Sequence, residues 1–160
     1  MTPIDRRKFL AAAAIASTAG AGAMAQGADT PNVALVKSLY AAFGKGDIAT
    51  IINGLTPDID WHCNGRPSDY PTFGPRKGPK EVGEFFKTVP DTGDFSEFSP
   101  REFYADGDKV FVFGHYALTL KKNGKKIASD WCHIFTFRNG KVAKFKEFLD
   151  TAQAAEAFRG

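Results

Sequence analysis

The sequence predicts an α+β fold, in which a curved antiparallel sheet has helices packed on its concave face. Alternating strand patterns fill the second half of the chain, and Asn123-Gly124 and Asn139-Gly140 separate them. Asn-Gly supplies the positive φ angles that tight hairpins need, so strands are expected at 109–121, 125–138 and 141–149. The first half has helical apolar periodicity instead, and this segregation of helices from strands is typical of the α+β class.

Three helices are predicted before the long strands. The first begins at Thr30-Pro31, where threonine can cap the helix and proline suits its first position. Apolar residues then recur every three or four positions, at Val33, Val36, Leu39, Tyr40 and Phe43. Asp47 can cap a short second helix, and a third is expected at 80–89.

Two further strands and one long connection complete the predicted order of elements. Alternation at 58–63 predicts a strand between the second and third helices, and 95–103 extends into another before the long strands. The connection 64–79 contains four prolines and is expected to form a loop at the rim of a pocket.

The strand at 127–137 places a titratable ring on an aromatic face. Its period of two puts Trp131, His133 and Phe135 on the inner side, and Asp130 and Cys132 on the outer side. This pattern makes His133 the first candidate for chemistry.

The hairpin at Asn139-Gly140 decides which charged residue reaches the inner face. A two-residue loop would turn Lys144 and Lys146 inward, and burying two unpaired ammonium groups is costly. We therefore predict a three-residue loop, which pairs Trp131 with Glu147 and leaves Glu147 diagonal to His133. At Asn123-Gly124 two registers stay open: one places Gly114 and Tyr116 inside, the other Phe113 and His115.

The amino terminus is predicted to be a twin-arginine export signal at 1–25. Arg6-Arg7 precedes a weakly apolar alanine run, and Ala23-Met24-Ala25 forms a small-residue cleavage site before Gln26. The run is too short for a membrane anchor. A periplasmic protein with one domain at 26–160 is expected.

Composition excludes several classes of partner. The signal contributes most of the net charge of +3, so the domain is nearly balanced and favours neither nucleic acid nor an anionic membrane. Cys63 and Cys132 are expected to be free packing residues, because Cys132 points away from the interior. No metal or cofactor is expected, since alternation separates His62 from Cys63 and Cys132 from His133.

The chain resembles the SnoaL-like branch of the NTF2-like superfamily. The resemblance rests on segments spread over the whole mature domain: Gly46-Asp47-Ile48, Asp58-Ile59-Asp60-Trp61, Gly78-Pro79, the segment 105–110, Trp131-Cys132-His133 and the segments 139–142 and 147–152. It implies a cone of curved sheet and helices around one deep apolar pocket, commonly dimerising through the sheet. The superfamily includes ketosteroid isomerases, polyketide cyclases, dehydratases, epoxide hydrolases and pure binding modules, so the fold alone does not define the reaction.

The ketosteroid isomerase residues are not retained. By the resemblance, the general-base aspartate falls at Cys63, the oxyanion aspartic acid at His133, and the oxyanion tyrosine near Leu39, one residue from Tyr40. The classical isomerase chemistry is therefore not expected, although His133 stands where a donor to a substrate oxygen would be.

Two classes of function follow. As an enzyme, the protein would use His133 and Glu147 in proton transfer beside a carbonyl, with Tyr40 orienting an oxygen, as an isomerase, cyclase or dehydratase. As a binding module it would only hold a small hydrophobic ligand. The residues expected to contact ligand are Trp61, Cys63, Phe85, Phe86, Tyr116, Trp131 and Phe145. A homodimer packed sheet to sheet is expected, because Ile134 and its outward neighbours form a large apolar patch in either register.

Overall fold

The computed structural model describes residues 25–26 and 30–160. The helices are α1 Pro31–Gly44, α2 Ile48–Asn53, α3 Gly78–Thr92 and α4 Thr151–Arg159. The strands are β1 Ala25–Gln26, β2 Leu55–Cys63, β3 Gly74–Lys77, β4 Gly93–Asp106, β5 Lys109–Leu120, β6 Lys126–Arg138 and β7 Lys141–Leu149. The predicted α+β class is confirmed.

The strands form one curved sheet in the order β1-β4-β5-β6-β7-β2-β3. The predicted antiparallel pairing holds for every pair of neighbouring strands except one, because β2 pairs with β7 in parallel. Parallel neighbours need a long crossover, and the whole chain from β3 to β6 provides it. The sheet is therefore mixed, with β7 antiparallel to β6 on its other side.

The structure contains three elements that the sequence analysis did not predict: β1, β3 and α4. β3 lies inside the connection that was expected to be a loop, and it pairs with β2. α4 follows Asp150, whose carboxylate accepts a hydrogen bond from the Gln153 backbone N–H at 2.9 Å. β1 pairs Ala25 with Ala105 on the edge strand β4. Ala25 is thus attached to the sheet, whereas the rest of the predicted export signal lies outside the described residues.

The pairing of β6 with β7 differs from the predicted register. Arg138 lies opposite Lys141, and Asn139 and Gly140 both have positive φ, so the turn is a two-residue loop. The register then shifts by one at Ala143, where β7 bulges. The bulge restores the predicted facing: Lys144 and Lys146 are exposed and Glu147 points inward, now directly opposite His133.

The hairpin at Asn123-Gly124 adopts the register that places Gly114 and Tyr116 inside. Gly114 lies opposite Trp131, and a Cβ at position 114 would approach the Trp131 ring to 2.1 Å. The indole therefore occupies the space that any larger residue at position 114 would need.

The core lies between the helices and the inner face of the sheet. Val36 of α1 and Val82 of α3 are fully buried there together with sheet residues such as Val110, Val112 and Val142. No helix of the described residues is long and apolar enough to cross a membrane.

Candidate functional site

A cavity of about 120 Å³ lies between helices α1 and α3 and the inner face of the sheet. Its walls are mainly aromatic and aliphatic. The residues that line it are Leu39, Tyr40, Phe43, Ile51, Trp61, Tyr70, Thr72, Phe85, Phe86, Val89, Thr92, Phe95, Phe98, Tyr116, His133, Phe135, Phe145, Glu147 and Leu149. A few polar side chains in an apolar pocket are the usual composition of a small-molecule site.

Three of these polar side chains form a continuous hydrogen-bonded series. The Tyr40 hydroxyl lies 2.9 Å from Nδ1 of His133. Nε2 of His133 lies 3.0 Å from Oε1 of Glu147. Helix α1 thus supplies one end of the series, β6 the centre and β7 the other end.

The Glu147 oxygens, which accept from Nε2 of His133, set the direction of these hydrogen bonds and leave Nδ1 to accept from Tyr40. Burial, followed by the nearby Glu147 and Cys132, raises the pKa of Tyr40 well above its ordinary value. The phenol is therefore neutral and can donate to Nδ1 of His133. The histidine then carries its own proton on Nε2 and donates it to the Glu147 carboxylate.

The imidazole of His133 is held rigidly by its surroundings. It stacks on Trp131 with ring centroids 4.0 Å apart, and Phe145 meets it edge-on at 4.9 Å. Its side chain is only 6% exposed. With both nitrogens already hydrogen-bonded, His133 can exchange protons with a ligand only through Tyr40 or Glu147.

The parallel pairing of β2 with β7 places Cys63 beside Glu147. Burial and the Glu147 carboxylate raise the pKa of the Cys63 thiol well above its ordinary value. The thiol is therefore protonated and poorly nucleophilic. Among the described residues, no group of three His, Cys, Asp or Glu side chains could hold a metal ion.

Most of the predicted site residues line the cavity. Tyr40, His133 and Glu147 do so, as do the predicted ligand contacts Trp61, Phe85, Phe86, Tyr116 and Phe145. Trp61 stacks on Phe145 with centroids 3.8 Å apart and forms one wall.

Two predicted ligand contacts do not line the cavity. Cys63 is completely buried in the sheet, behind the walls of the cavity. Trp131 is covered by Phe98 and His133, whose ring centroids lie 5.3 Å and 4.0 Å from its own. Both positions face inward as predicted, but neighbouring side chains separate them from the open space.

The remaining histidine candidate lies on the opposite face of the sheet. Nδ1 of His115 is 2.8 Å from Oδ1 of Asp130, and that carboxylate is largely exposed. His115 is therefore outside the site.

Tyr70 is the most important cavity residue that the sequence did not reveal. It lies in the connection between β2 and β3, where no periodicity indicates facing. The proline-rich composition of that segment did predict a pocket rim, and Tyr70 and Thr72 do line the cavity from it.

Comparison with known proteins identifies the family of this fold and site. A family model described as a SnoaL-like domain matches residues 36–145. The chain belongs to this SnoaL-like family, within the NTF2-like superfamily. A comparison with curated proteins finds no match.

Solved structures with the same fold include three at similar levels of identity. An NTF2-like protein from Burkholderia xenovorans LB400 is 28% identical, with a TM-score of 0.73 over 84% of this chain and 98% of that one. An NTF2-like protein from Burkholderia pseudomallei K96243 is 28% identical, with a TM-score of 0.74 over 82% and 99%. TerC, co-crystallised with polyporic acid, is 29% identical, with a TM-score of 0.70 over 82% and 100%.

Proposed function

We propose that this protein catalyses proton transfer next to a carbonyl or hydroxyl group of a small hydrophobic compound, as an isomerase, cyclase or dehydratase. The observation that supports this proposal is the series Tyr40, His133 and Glu147, which opens into an apolar cavity. A base oriented by a third group is a recurring arrangement for moving protons. The co-crystal of the similar TerC with polyporic acid supports a small organic ligand.

The direction of the hydrogen bonds suggests a path for the proton. A C–H group beside the substrate carbonyl gives its proton to the Tyr40 oxygen, while Tyr40 passes its own proton to Nδ1 of His133. The electron pair of the broken C–H bond moves onto the carbonyl oxygen to form an enolate. The resulting imidazolium is paired with the Glu147 carboxylate, and reversal of the path returns a proton to carbon.

This path exchanges the roles that the sequence suggested. Tyr40, expected to orient an oxygen, becomes the group that touches the reacting proton. His133 becomes the relay behind it, because its two nitrogens are already bonded to Tyr40 and Glu147.

Deuterium exchange of ring ketones tests the reaction. The C2 protons of 1-indanone are followed by NMR in D₂O with the mature protein, its Tyr40→Phe variant and its Glu147→Gln variant. General acid–base catalysis contributes about 10²–10⁴-fold in rate, so we expect either substitution to lose most of the enhancement. Truncating His133 to alanine is a poorer test, because it would also remove a ring that packs against Trp131 and Phe145.

A matched control is available on the outer face of the same sheet. Asp130→Asn removes the carboxylate partner of His115 just as Glu147→Gln removes the partner of His133. The control should leave exchange unchanged. Equal exchange rates in wild type, Tyr40→Phe and Glu147→Gln would contradict the proposal.

The second candidate is a binding module without catalysis. A histidine with both nitrogens bonded and its ring stacked also has the features of a satisfied structural contact. In that case, Tyr40→Phe should change ligand affinity only by about one hydrogen bond, 0.5 to 1.5 kcal/mol.

We also propose that the protein is exported to the periplasm by the twin-arginine route, on the evidence of Arg6-Arg7 and the small residues before Gln26. Mass spectrometry of periplasmic protein should find a mature amino terminus at Gln26. Retention of the full chain in the cytoplasm would contradict this.

A further inference from the structure

Two tyrosine hydroxyls at the cavity lack a hydrogen-bond partner among the residues that the structure describes. Tyr70 and Tyr116 line the cavity, and each side chain is about nine-tenths buried, with 6% of the residue exposed. Neither hydroxyl forms a hydrogen bond with another described residue, in contrast to the Tyr40 hydroxyl. Neither oxygen is among the fully buried polar atoms that lack a partner, so both hydroxyls open onto the cavity, where a ligand or water can accept a hydrogen bond from them.

The rings of both tyrosines are fixed by packing. Tyr70 contacts Phe73 at 5.0 Å between centroids and Phe158 of α4 at 5.3 Å. Tyr116 contacts Phe95 at 6.1 Å, and its backbone is held between β4 and β6. The two hydroxyls therefore have fixed positions, which is the condition for preorganised donors.

Burial and the Glu147 carboxylate act on both phenols. Burial and the Glu147 carboxylate raise the pKa of Tyr70 to about 12. Burial, with Tyr70 and Glu147 among the smaller contributions, also raises the pKa of Tyr116. Both phenols therefore keep their protons and remain donors, while the adjacent carboxylate disfavours an anionic ligand.

We propose that Tyr70 and Tyr116 form a two-donor site for the carbonyl oxygen of an uncharged aromatic or alicyclic ketone. The mostly apolar walls contact the hydrocarbon part of such a ligand, and the two hydroxyls donate hydrogen bonds to its oxygen. Within the proposed function, on which this step rests, the same donors would stabilise the negative charge that develops on the oxygen as the proton moves to Tyr40.

Matched ligands test the binding site without any need for catalysis. Binding of 1-indanone, indane and indane-1-carboxylate is measured by calorimetry with wild type, Tyr70→Phe, Tyr116→Phe and the double variant. We expect wild type to prefer the ketone over both others. Each substitution should weaken ketone binding by about 2- to 12-fold, the equivalent of one hydrogen bond, and leave indane binding unchanged.

Tyr104→Phe is the control, because Tyr104 donates its hydroxyl to Glu102 outside the cavity. It should bind all three ligands as wild type does. Indane binding also reports whether each variant keeps a folded cavity. If the double variant does not fold, the loss of ketone binding in the two single variants tests the donor pair.

The outcomes separate this proposal from the proposed reaction. A ketone preference that survives in the double variant, or that is absent from wild type, overturns the donor pair. A preference that disappears with the two tyrosines, in a protein that exchanges no deuterium, supports the donor pair and contradicts the reaction.

Discussion

His133 has two different kinds of support. Hydrogen bonds to Tyr40 and Glu147 fix its tautomer, and stacking on Trp131 fixes the plane of its ring. The indole N–H of Trp131 is itself buried and has no hydrogen-bond partner in the described part of the chain. The unpaired N–H destabilises the folded protein by about 1–3 kcal/mol, and the packing of the indole against His133 and Phe98 offsets this loss.

The buried tyrosines predict how stability depends on alkaline pH. The pKa of Tyr70 is about 12 in the folded protein, against 10.0 for the free side chain. The unfolded chain therefore loses its proton first, and the free energy of unfolding falls as pH rises from about 10 to 12, by at most about 1.4 kcal/mol per pH unit for this group.

Urea unfolding at about pH 9 and pH 11 measures this effect. Tyr70→Phe should lose less stability between the two values than wild type does. Tyr104→Phe, a change at a half-buried tyrosine outside the cavity, should behave like wild type. An identical loss in Tyr70→Phe and wild type would contradict the raised pKa.

At the level of residues, the alternation of apolar and polar positions predicted which side chains of a strand face inward. Period two correctly predicted that His133 and Glu147 share the inner face, because one slip would have buried Lys144 and Lys146. It could not reveal Tyr70, which lies in a connection without periodicity, or the shielding of Trp131, which depends on Phe98 from a different strand.

At the level of elements, the bulge at Ala143 is the feature that brings Glu147 directly opposite His133. Alanine at this position has no turn or glycine signature, so the sequence indicated the turn but not the bulge. Only the pairing with β6 shows it. The sequence did not predict the parallel pairing of β2 with β7 either, because an alternating pattern does not indicate which neighbouring strand a strand pairs with.

Paired glycine substitutions test the packing of β5 and α3. Gly114→Ala should destabilise the protein by about 1–3 kcal/mol, since the added methyl would meet the Trp131 ring and the Ser99 carbonyl. Gly83→Ala should stabilise it by about 0.5–1 kcal/mol, because position 83 lies within α3 with no atom within 4 Å of the new methyl.

Thermal or chemical unfolding of both variants measures whether the free energy of unfolding falls in Gly114→Ala and rises in Gly83→Ala. The same chemical change, glycine to alanine, is made in each, so the difference between them reports only the surroundings. A stable Gly114→Ala variant would show that Trp131 can move, and with it the ring that supports His133.

At the level of the whole molecule, the outer face of the sheet exposes a row of apolar residues. Phe113, Cys132 and Phe148 lie side by side on β5, β6 and β7. Phe113 is 45% exposed and Phe148 39% exposed. We propose, as the sequence suggested, that a second copy of the chain covers this face.

Phe113→Glu tests this dimer. In a symmetric interface each copy would bring a carboxylate to the apolar row, so we expect the variant to sediment as a monomer at micromolar concentration. Wild type and Lys45→Glu, a change away from the row, should sediment as dimers. A monomeric wild type would contradict the proposal.

The pairing of β2 with β7 also sets the order in which the protein can fold. Cys63 and Glu147 lie side by side although they are roughly 85 positions apart in the chain. The hairpins β5-β6 and β6-β7 close short loops and can form early, whereas β2 must wait until β7 has been synthesised and has joined the sheet. We therefore expect the cavity to be completed late, after the meander that pairs His133 with Glu147 has formed, because α1, α3 and β2 supply its other walls.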